Sequence, residues 1–206
     1  MAAPRPHDLL RLADYASELP ADAPEWVRTS LTRTPWVVAR RAVASPGLVP
    51  VGVRGRRRAQ RYAMTVPHNA VEQTVTPEQL RGAAPTEDRG LSALVTLRMV
   101  RPYLDSTGLV WGPTGSVGFE LATGHHTVTE DSDLDVVLRI GHLTSTVLQQ
   151  LSSLHTLLLA TSARVDCQLD CPAGAVALAE IISADAQVIV RTAEGPRLLA
   201  AAELSR

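Results

Sequence analysis

Apolar residues recur at helical spacing from Leu91 to Leu104 (Leu91, Leu94, Val95, Leu97, Val100, Leu104), and Ser106-Thr107-Gly108 ends the run. Beyond it the pattern switches repeatedly between strand and helix periods. Strands are predicted over Leu109–Trp111, Leu134–Ile140, Arg164–Leu169 and Gln187–Thr192. Helices are predicted over Gly115–Ala122, Thr144–Ala160 and Pro172–Ile182, and a turn at Glu194-Gly195-Pro196. In the front part, residues 7–33 read as short helical segments punctuated by Pro20, Pro24 and Pro35. PWVVARRA and LVPVGVRG then read as strands joined at Ser45-Pro46-Gly47, and RRRAQRYAMTVP can pair with them. Thr76-Pro77-Glu78-Gln79 has the form of a helix start, and RGAAPTEDRG that of a linker. The expectation is an α+β protein without internal repeats. A small mixed N-terminal domain spans residues 1–82, and a second domain, a small mixed sheet flanked by helices, spans 88–206.

Composition narrows the chemistry. The chain has 206 residues, 45% of them apolar, which is enough for a real core. No apolar run reaches the ~18 residues of a membrane span. The opening residues carry acids and lack an apolar signal core, so a cytoplasmic protein without a targeting segment is expected. Cys167 and Cys171 are the only cysteines; two thiols build no disulfide framework, and no second Cys/His pair completes a zinc site. Every basic residue is arginine. The absence of lysine excludes P-loop NTPases, protein kinases and Schiff-base enzymes, whose chemistry needs a lysine amine. Charge is uneven: residues 1–61 hold eleven arginines against five acids, and residues 62–206 hold nine against sixteen. A basic front and an acidic back suggest two tasks in one chain.

The chemistry concentrates in WGPTGSVGFELATGHHTVTEDSDLDVVLR, residues 111–139. Asp131, Asp133 and Asp135 match the first positions of a calcium loop, but Val136 stands where glycine is needed and His142 where glutamate is needed. The glycines at 112, 115 and 118 do not have dinucleotide-fold spacing. A third reading fits. A strand ends at Trp111, and Gly115-Ser116 opens a helix after a glycine turn, aiming backbone N–H groups and a hydroxyl at an anion. Asp133 and Asp135, two apart on a strand, project from one face while Leu134, Val136 and Leu138 enter the core. Paired carboxylates facing a phosphate cradle suit Mg²⁺ and phosphoryl or nucleotidyl transfer. Asp166 on the next strand is the preferred third carboxylate, with Asp170 the alternative. The catalytic and metal-binding set is thus Asp133, Asp135 and Asp166, and Gly115 and Ser116 bind phosphate.

This order of Gly-Ser, Asp-x-Asp and a further Asp resembles the nucleotidyltransferase fold of the polymerase-beta type. VPVGVRGRRRAQR, GPTGSVGFELATG with SDLDVVLR, and DCQLDCPAGAVALAE resemble the malonate decarboxylase holo-acyl-carrier-protein synthase family, also called phosphoribosyl-dephospho-CoA transferases. The resemblance implies a donor, 2'-(5''-triphosphoribosyl)-3'-dephospho-CoA, and an acceptor, a serine of the apo acyl-carrier subunit of malonate decarboxylase, with pyrophosphate released. It also carries the essential aspartate pair onto Asp133 and Asp135 and the phosphate contact onto Gly115 and Ser116. A nucleotidyltransferase with another acceptor (a small molecule, an RNA end or a protein hydroxyl) and a non-catalytic nucleotide-binding module are the alternatives.

The run Arg54, Arg56, Arg57, Arg58 and Arg61 reads either as a solvated strand face or as a contact for the donor's phosphates or an acidic carrier protein. Nucleic acid is not expected as a partner, because aromatic content is 3% and net charge only −1. His125 and His126 fall in the loop before Asp133, as solvent-facing residues or as phosphate contacts. Trp26, Trp36 and Trp111 are expected in the core.

Overall fold

The computed structural model describes residues 3–57, 59–183 and 186–205. The chain divides into two compact units, Met1–Thr76 and Pro77–Arg206.

The first unit is a five-stranded antiparallel sheet backed by helices. Its strands are β1 (Leu9–Leu12), β2 (Trp36–Ala39), β3 (Leu48–Arg54), β4 (Arg61–Pro67) and β5 (Val71–Val75), in the order β4-β3-β2-β1-β5. Alternation explains β3: Val49, Val51 and Val53 are buried while Leu48, Pro50 and Gly52 look the other way. Helix α1 (Tyr15–Glu18) is capped by Asp14, whose carboxylate accepts from the Ala16 and Ser17 N–H groups. Helix α2 (Glu25–Arg33) buries Val27 and Leu31, one turn apart, in the same core. The reading of residues 7–33 as short helical segments fails at β1. Four residues, LLRL, are too few to display a period, and pairing with both β2 and β5 overrides their helical preference.

The second unit is built on a six-stranded sheet. Its strands are β6 (Val110–Pro113), β7 (Leu134–Arg139), β8 (Val165–Cys171), β9 (Gly174–Ala177), β10 (Gln187–Thr192) and β11 (Gly195–Ala200), in the order β11-β10-β9-β8-β7-β6. Among the described residues β7 and β8 are its one parallel pair, and the other neighbours are antiparallel. The helices are α3 (Ser92–Ser106), α4 (Gly115–Thr123), α5 (Ser145–Leu159) and α6 (Leu178–Ser183). Leu94, Leu97, Val100 and Leu104 of α3 and Leu151, Leu154 and Leu158 of α5 form apolar stripes at helical spacing. They pack with Leu134, Val136 and Leu138 of β7 in one core, which also holds Trp111. Thr144 caps α5, its hydroxyl accepting from the Val147 N–H.

Three expectations fail here. Pro172 does not start a helix; Pro172-Ala173 turns the chain from β8 into β9, with Cys171 opposite Gly174, and α6 begins only at Leu178. The segment after Glu194-Gly195 continues as β11, pairing with β10 along its whole length. The expected helix start at Thr76-Pro77 becomes a single 3-10 turn, Pro77–Leu80, within the second unit. Gly112 permits this turn to lie against β6, because a Cβ there would stand 2.1 Å from the Pro77 carbonyl.

Candidate active site

Strand β6 delivers the chain to Thr114, whose N–H donates to the Asp135 carbonyl at 2.8 Å. Helix α4 then opens at Gly115, with φ +60. Thr114 provides no side-chain cap, so the first N–H groups of α4 have no capping acceptor from it. Gly115 meets a second demand besides its left-handed backbone. A Cβ there would fall 1.8 Å from Asp135 Oδ2, so the carboxylate rests directly on the bend. Ser116 is buried at the start of the helix, just after the bend.

The parallel β7–β8 ladder sets the remaining geometry. Asp135 stands opposite Asp166, and Arg139 opposite Asp170. Residues paired in register share a face, so Asp166 joins Asp135; Asp133 lies just before the strand, and its charge, like that of Asp135, acts on Arg164. Leu134, Val136 and Leu138 occupy the buried face, as alternation predicts. Asp170 has other work. Arg139, only 10% exposed at its side chain, pairs with Asp170 and, through Nε at 2.9 Å, with Glu78. Burial alone would lower the Arg139 pKa, but the hydrogen bonds it donates to Glu78 and Asp170 raise it.

Arg164, a residue that sequence pattern marks only as a strand boundary, donates to Asp166 Oδ1 at 2.8 Å. Its hydrogen bond to Asp166, then the charges of Asp166, Asp133 and Asp135, hold the guanidinium charged. Arg164 and Asp166 also line a cleft of about 320 Å³, with apolar walls from Leu158, Val165, Cys167 and Leu178. Burial pushes the Cys167 thiol well above its ordinary range, leaving it protonated and unreactive.

The loop from α4 to β7 is fixed by a second group absent from the expected set. Glu120 is 2% exposed, the one charged residue of its helix. It accepts from the Thr127 and Val128 N–H groups at 2.8 Å each and pairs with Arg89. Desolvation would raise its pKa, but the Val128 N–H, Arg89 and the Thr127 N–H outweigh burial and hold it below the ordinary carboxylate value. The Thr127 hydroxyl also donates to the Ser116 carbonyl at 2.9 Å, and Ser132 closes a turn with Thr129 just before Asp133. The signal for Glu120 lies in the sequence, as a lone acid at a core position of GSVGFELAT; Arg89 falls in the segment read as a linker.

The expected metal ligands come together only in part. Among the described residues no three His, Cys, Asp or Glu side chains converge as a metal-holding group, and Asp166 is engaged by Arg164. The donor set nevertheless fits a hard divalent cation. Oxygen-only carboxylates share one face, and a cation already stands against them in the form of Arg164; Mg²⁺ commonly takes one or two carboxylates plus substrate phosphates. The predicted arginines lie in the first unit, where Arg54 faces Arg61 across the β3–β4 hairpin. Gln60 secures that turn: its side chain accepts from the Arg57 N–H at 2.9 Å, and Arg56, Arg57 and Arg61 are left exposed. Arg58 lies outside the described residues. His126 approaches Glu87 at 4.0 Å.

Residues 79–202 match the family described as Phosphoribosyl-dephospho-CoA transferase MdcG C-terminal domain, and residues 5–77 match its N-terminal domain. The chain belongs to the phosphoribosyl-dephospho-CoA transferase family. Similar proteins bearing the name phosphoribosyl-dephospho-CoA transferase agree. That of Pseudomonas putida strain GB-1 is 40% identical over 199 residues, covering 97% of this chain and 95% of its own. That of Pseudomonas syringae pv. tomato is 43% identical over 194 residues, covering 94% and 90%. That of Azotobacter vinelandii is 41% identical over 201 residues, covering 95% and 92%. No solved structure matches the chain. This phosphoribosyl-dephospho-CoA transferase is therefore an enzyme of group transfer. Among its described residues no helix is long and apolar enough to cross a membrane.

Proposed function

We propose that the enzyme transfers the 5'-phosphoribosyl-3'-dephospho-CoA group from 2'-(5''-triphosphoribosyl)-3'-dephospho-CoA to a serine of the apo acyl-carrier subunit of malonate decarboxylase, in the cytoplasm. The observation that carries this reading is the Asp135 carboxylate resting on the Gly115 bend with Asp166 in register beside it. A triphosphate needs donors at its oxygens and counter-charge where the leaving group develops. The open N-terminus of α4 and the Ser116 hydroxyl offer the first. Asp133 and Asp135, with Asp166 as third partner, would hold Mg²⁺, which when bound supplies charge neutralisation at the phosphates.

In the reaction the acceptor serine oxygen forms a bond to the donor's α-phosphorus. The bond from that phosphorus to the β-phosphate bridging oxygen breaks, and its electron pair leaves on pyrophosphate. The serine proton passes to Asp166, freed from Arg164. No nucleophile is required from the chain itself, so Ser116 serves binding alone. The cleft beside Asp166 has room for one arm of the donor rather than all of it. The arginine run Arg54, Arg57, Arg58 and Arg61 contacts the donor's phosphates or the acidic surface of the carrier.

The test is intact-mass analysis of the apo carrier subunit incubated with enzyme, Mg²⁺ and the triphosphoribosyl donor. The expected result is a mass gain equal to the prosthetic group. No gain with this donor but a gain with ATP would overturn the assignment in favour of another nucleotidyl transfer.

A further inference from the structure

The carboxylates carry a fourth residue with them. The Leu134 N–H donates to the Arg164 carbonyl at 2.9 Å, and Leu134 pairs with Val165. Arg164 thus immediately precedes β8 where Asp133 immediately precedes β7, one residue ahead of the ladder that pairs Asp135 with Asp166. The four residues gather at the entry of the parallel pair as one charged patch, three carboxylates and a guanidinium. The guanidinium bonds to Asp166, feels both other carboxylates and also borders the cleft.

Two features show that this contact is made to be exchanged. The Arg164 side chain is 71% exposed and that of Asp166 47%, so no packing fixes the pair. An ion pair so open to water contributes little, and a polyphosphate can displace it by forming two parallel hydrogen bonds to the one guanidinium. A divalent cation, in turn, must compete with the guanidinium for the same oxygens.

We infer that Arg164 is a movable counter-ion and a positioning residue for the donor's phosphates. Without donor it neutralises the Asp133, Asp135 and Asp166 patch in place of a metal ion; when the donor arrives it leaves Asp166 and grips phosphate oxygens, opening the carboxylates to the cation. Donor and cation therefore help each other bind, since one removes the competitor of the other. This rests on the carboxylate reading given under Proposed function and adds to it a residue and an order of events.

Calorimetric titration separates the two. Mg²⁺ alone is titrated into donor-free wild-type protein, Arg164→Gln, Arg164→Lys and Asp135→Asn; pyrophosphate alone, in EDTA, is titrated into the first three. Arg164→Gln is expected to bind Mg²⁺ about two- to fivefold more tightly than wild type. It should bind pyrophosphate about tenfold more weakly; Arg164→Lys, which keeps the charge but not the two-pronged donor, should match wild type for Mg²⁺ and fall between wild type and Arg164→Gln for pyrophosphate. A purely structural arginine would not move the two affinities in opposite directions. Equal Mg²⁺ affinity in wild type and Arg164→Gln, with binding lost in Asp135→Asn, overturns the role of Arg164 and leaves the carboxylate reading standing. Mg²⁺ binding indifferent to both substitutions overturns the two together.

Discussion

Gly115→Ala tests the central geometry with a built-in control. The alanine is asked to hold φ +60, which costs an L-residue about 1–2 kcal/mol. Its methyl group would also fall 1.8 Å from Asp135 Oδ2 and 2.6 Å from Cγ, so the carboxylate must swing out of its rotamer, at roughly 1 kcal/mol more. The sum is about 2–3 kcal/mol of lost stability. Gly124, at the end of the same helix, has φ +69, but a Cβ there would meet nothing within 4 Å. Gly124→Ala therefore bears only the backbone part, about 1–2 kcal/mol. The difference between the two variants, read from urea unfolding followed by circular dichroism, isolates the collision with Asp135. Transfer should respond more sharply: a reacting group displaced by about 1 Å loses on the order of a hundredfold in rate, so Gly115→Ala should fall by that factor while Gly124→Ala stays near wild type. Equal destabilisation of the two variants, with Gly115→Ala still transferring at the wild-type rate, would refute the claim that the bend and the carboxylate form one unit.

Asp133→Asn and Asp135→Asn should each lower transfer by roughly a hundredfold or more while unfolding cooperatively, as checked by the carrier mass shift and circular dichroism. Arg139→Met removes the guanidinium that the half-buried Glu78 and Asp170 share and should cost about 3 kcal/mol in urea unfolding; Asp170→Asn should cost less. Glu120 has its folded pKa depressed, so its contribution is full above the unfolded value near 4.3 and is lost as pH falls through the folded value; the stability advantage of wild type over Glu120→Gln should shrink below about pH 4. Ellman's reagent at about pH 8 should leave Cys167 unmodified in the native protein and reach it after guanidinium unfolding, as mass mapping will show.

The central elements were legible because each displays its period over enough residues. The sequence predicted Leu134–Ile140 for β7 and Thr144–Ala160 for α5, and the structure has Leu134–Arg139 and Ser145–Leu159. What failed was short or carried a misleading marker. LLRL spans four residues, and GAVA of β9 is buried without alternation because its partner arrives through the adjacent Pro172-Ala173 turn. Within the site, strand period predicts a common face for Asp133 and Asp135, and the strand itself begins between them, at Leu134. The neighbours of Asp166 do not follow from period: Arg164 lies two residues away in sequence, but its reach to Asp133 and Asp135 depends on the β7–β8 register. The clamp between Arg89 and Glu120 joins residues 31 apart, and nothing local marks a linker arginine as the partner of a helix glutamate.

The parallel step from β7 to β8 has a consequence for biosynthesis. Two of the acids are translated before the α5 crossover, whereas Asp166 and Arg164 follow it. A nascent chain that has emerged only through α5 holds Asp133 and Asp135 without the flanking strand β8 and without Arg164. Such non-local pairings are closed late because the loop must first be ordered. On the proposed carboxylate reading, competence for transfer arrives when β8 zips onto β7, and a nick in the crossover would delay that moment more than it would weaken the finished enzyme.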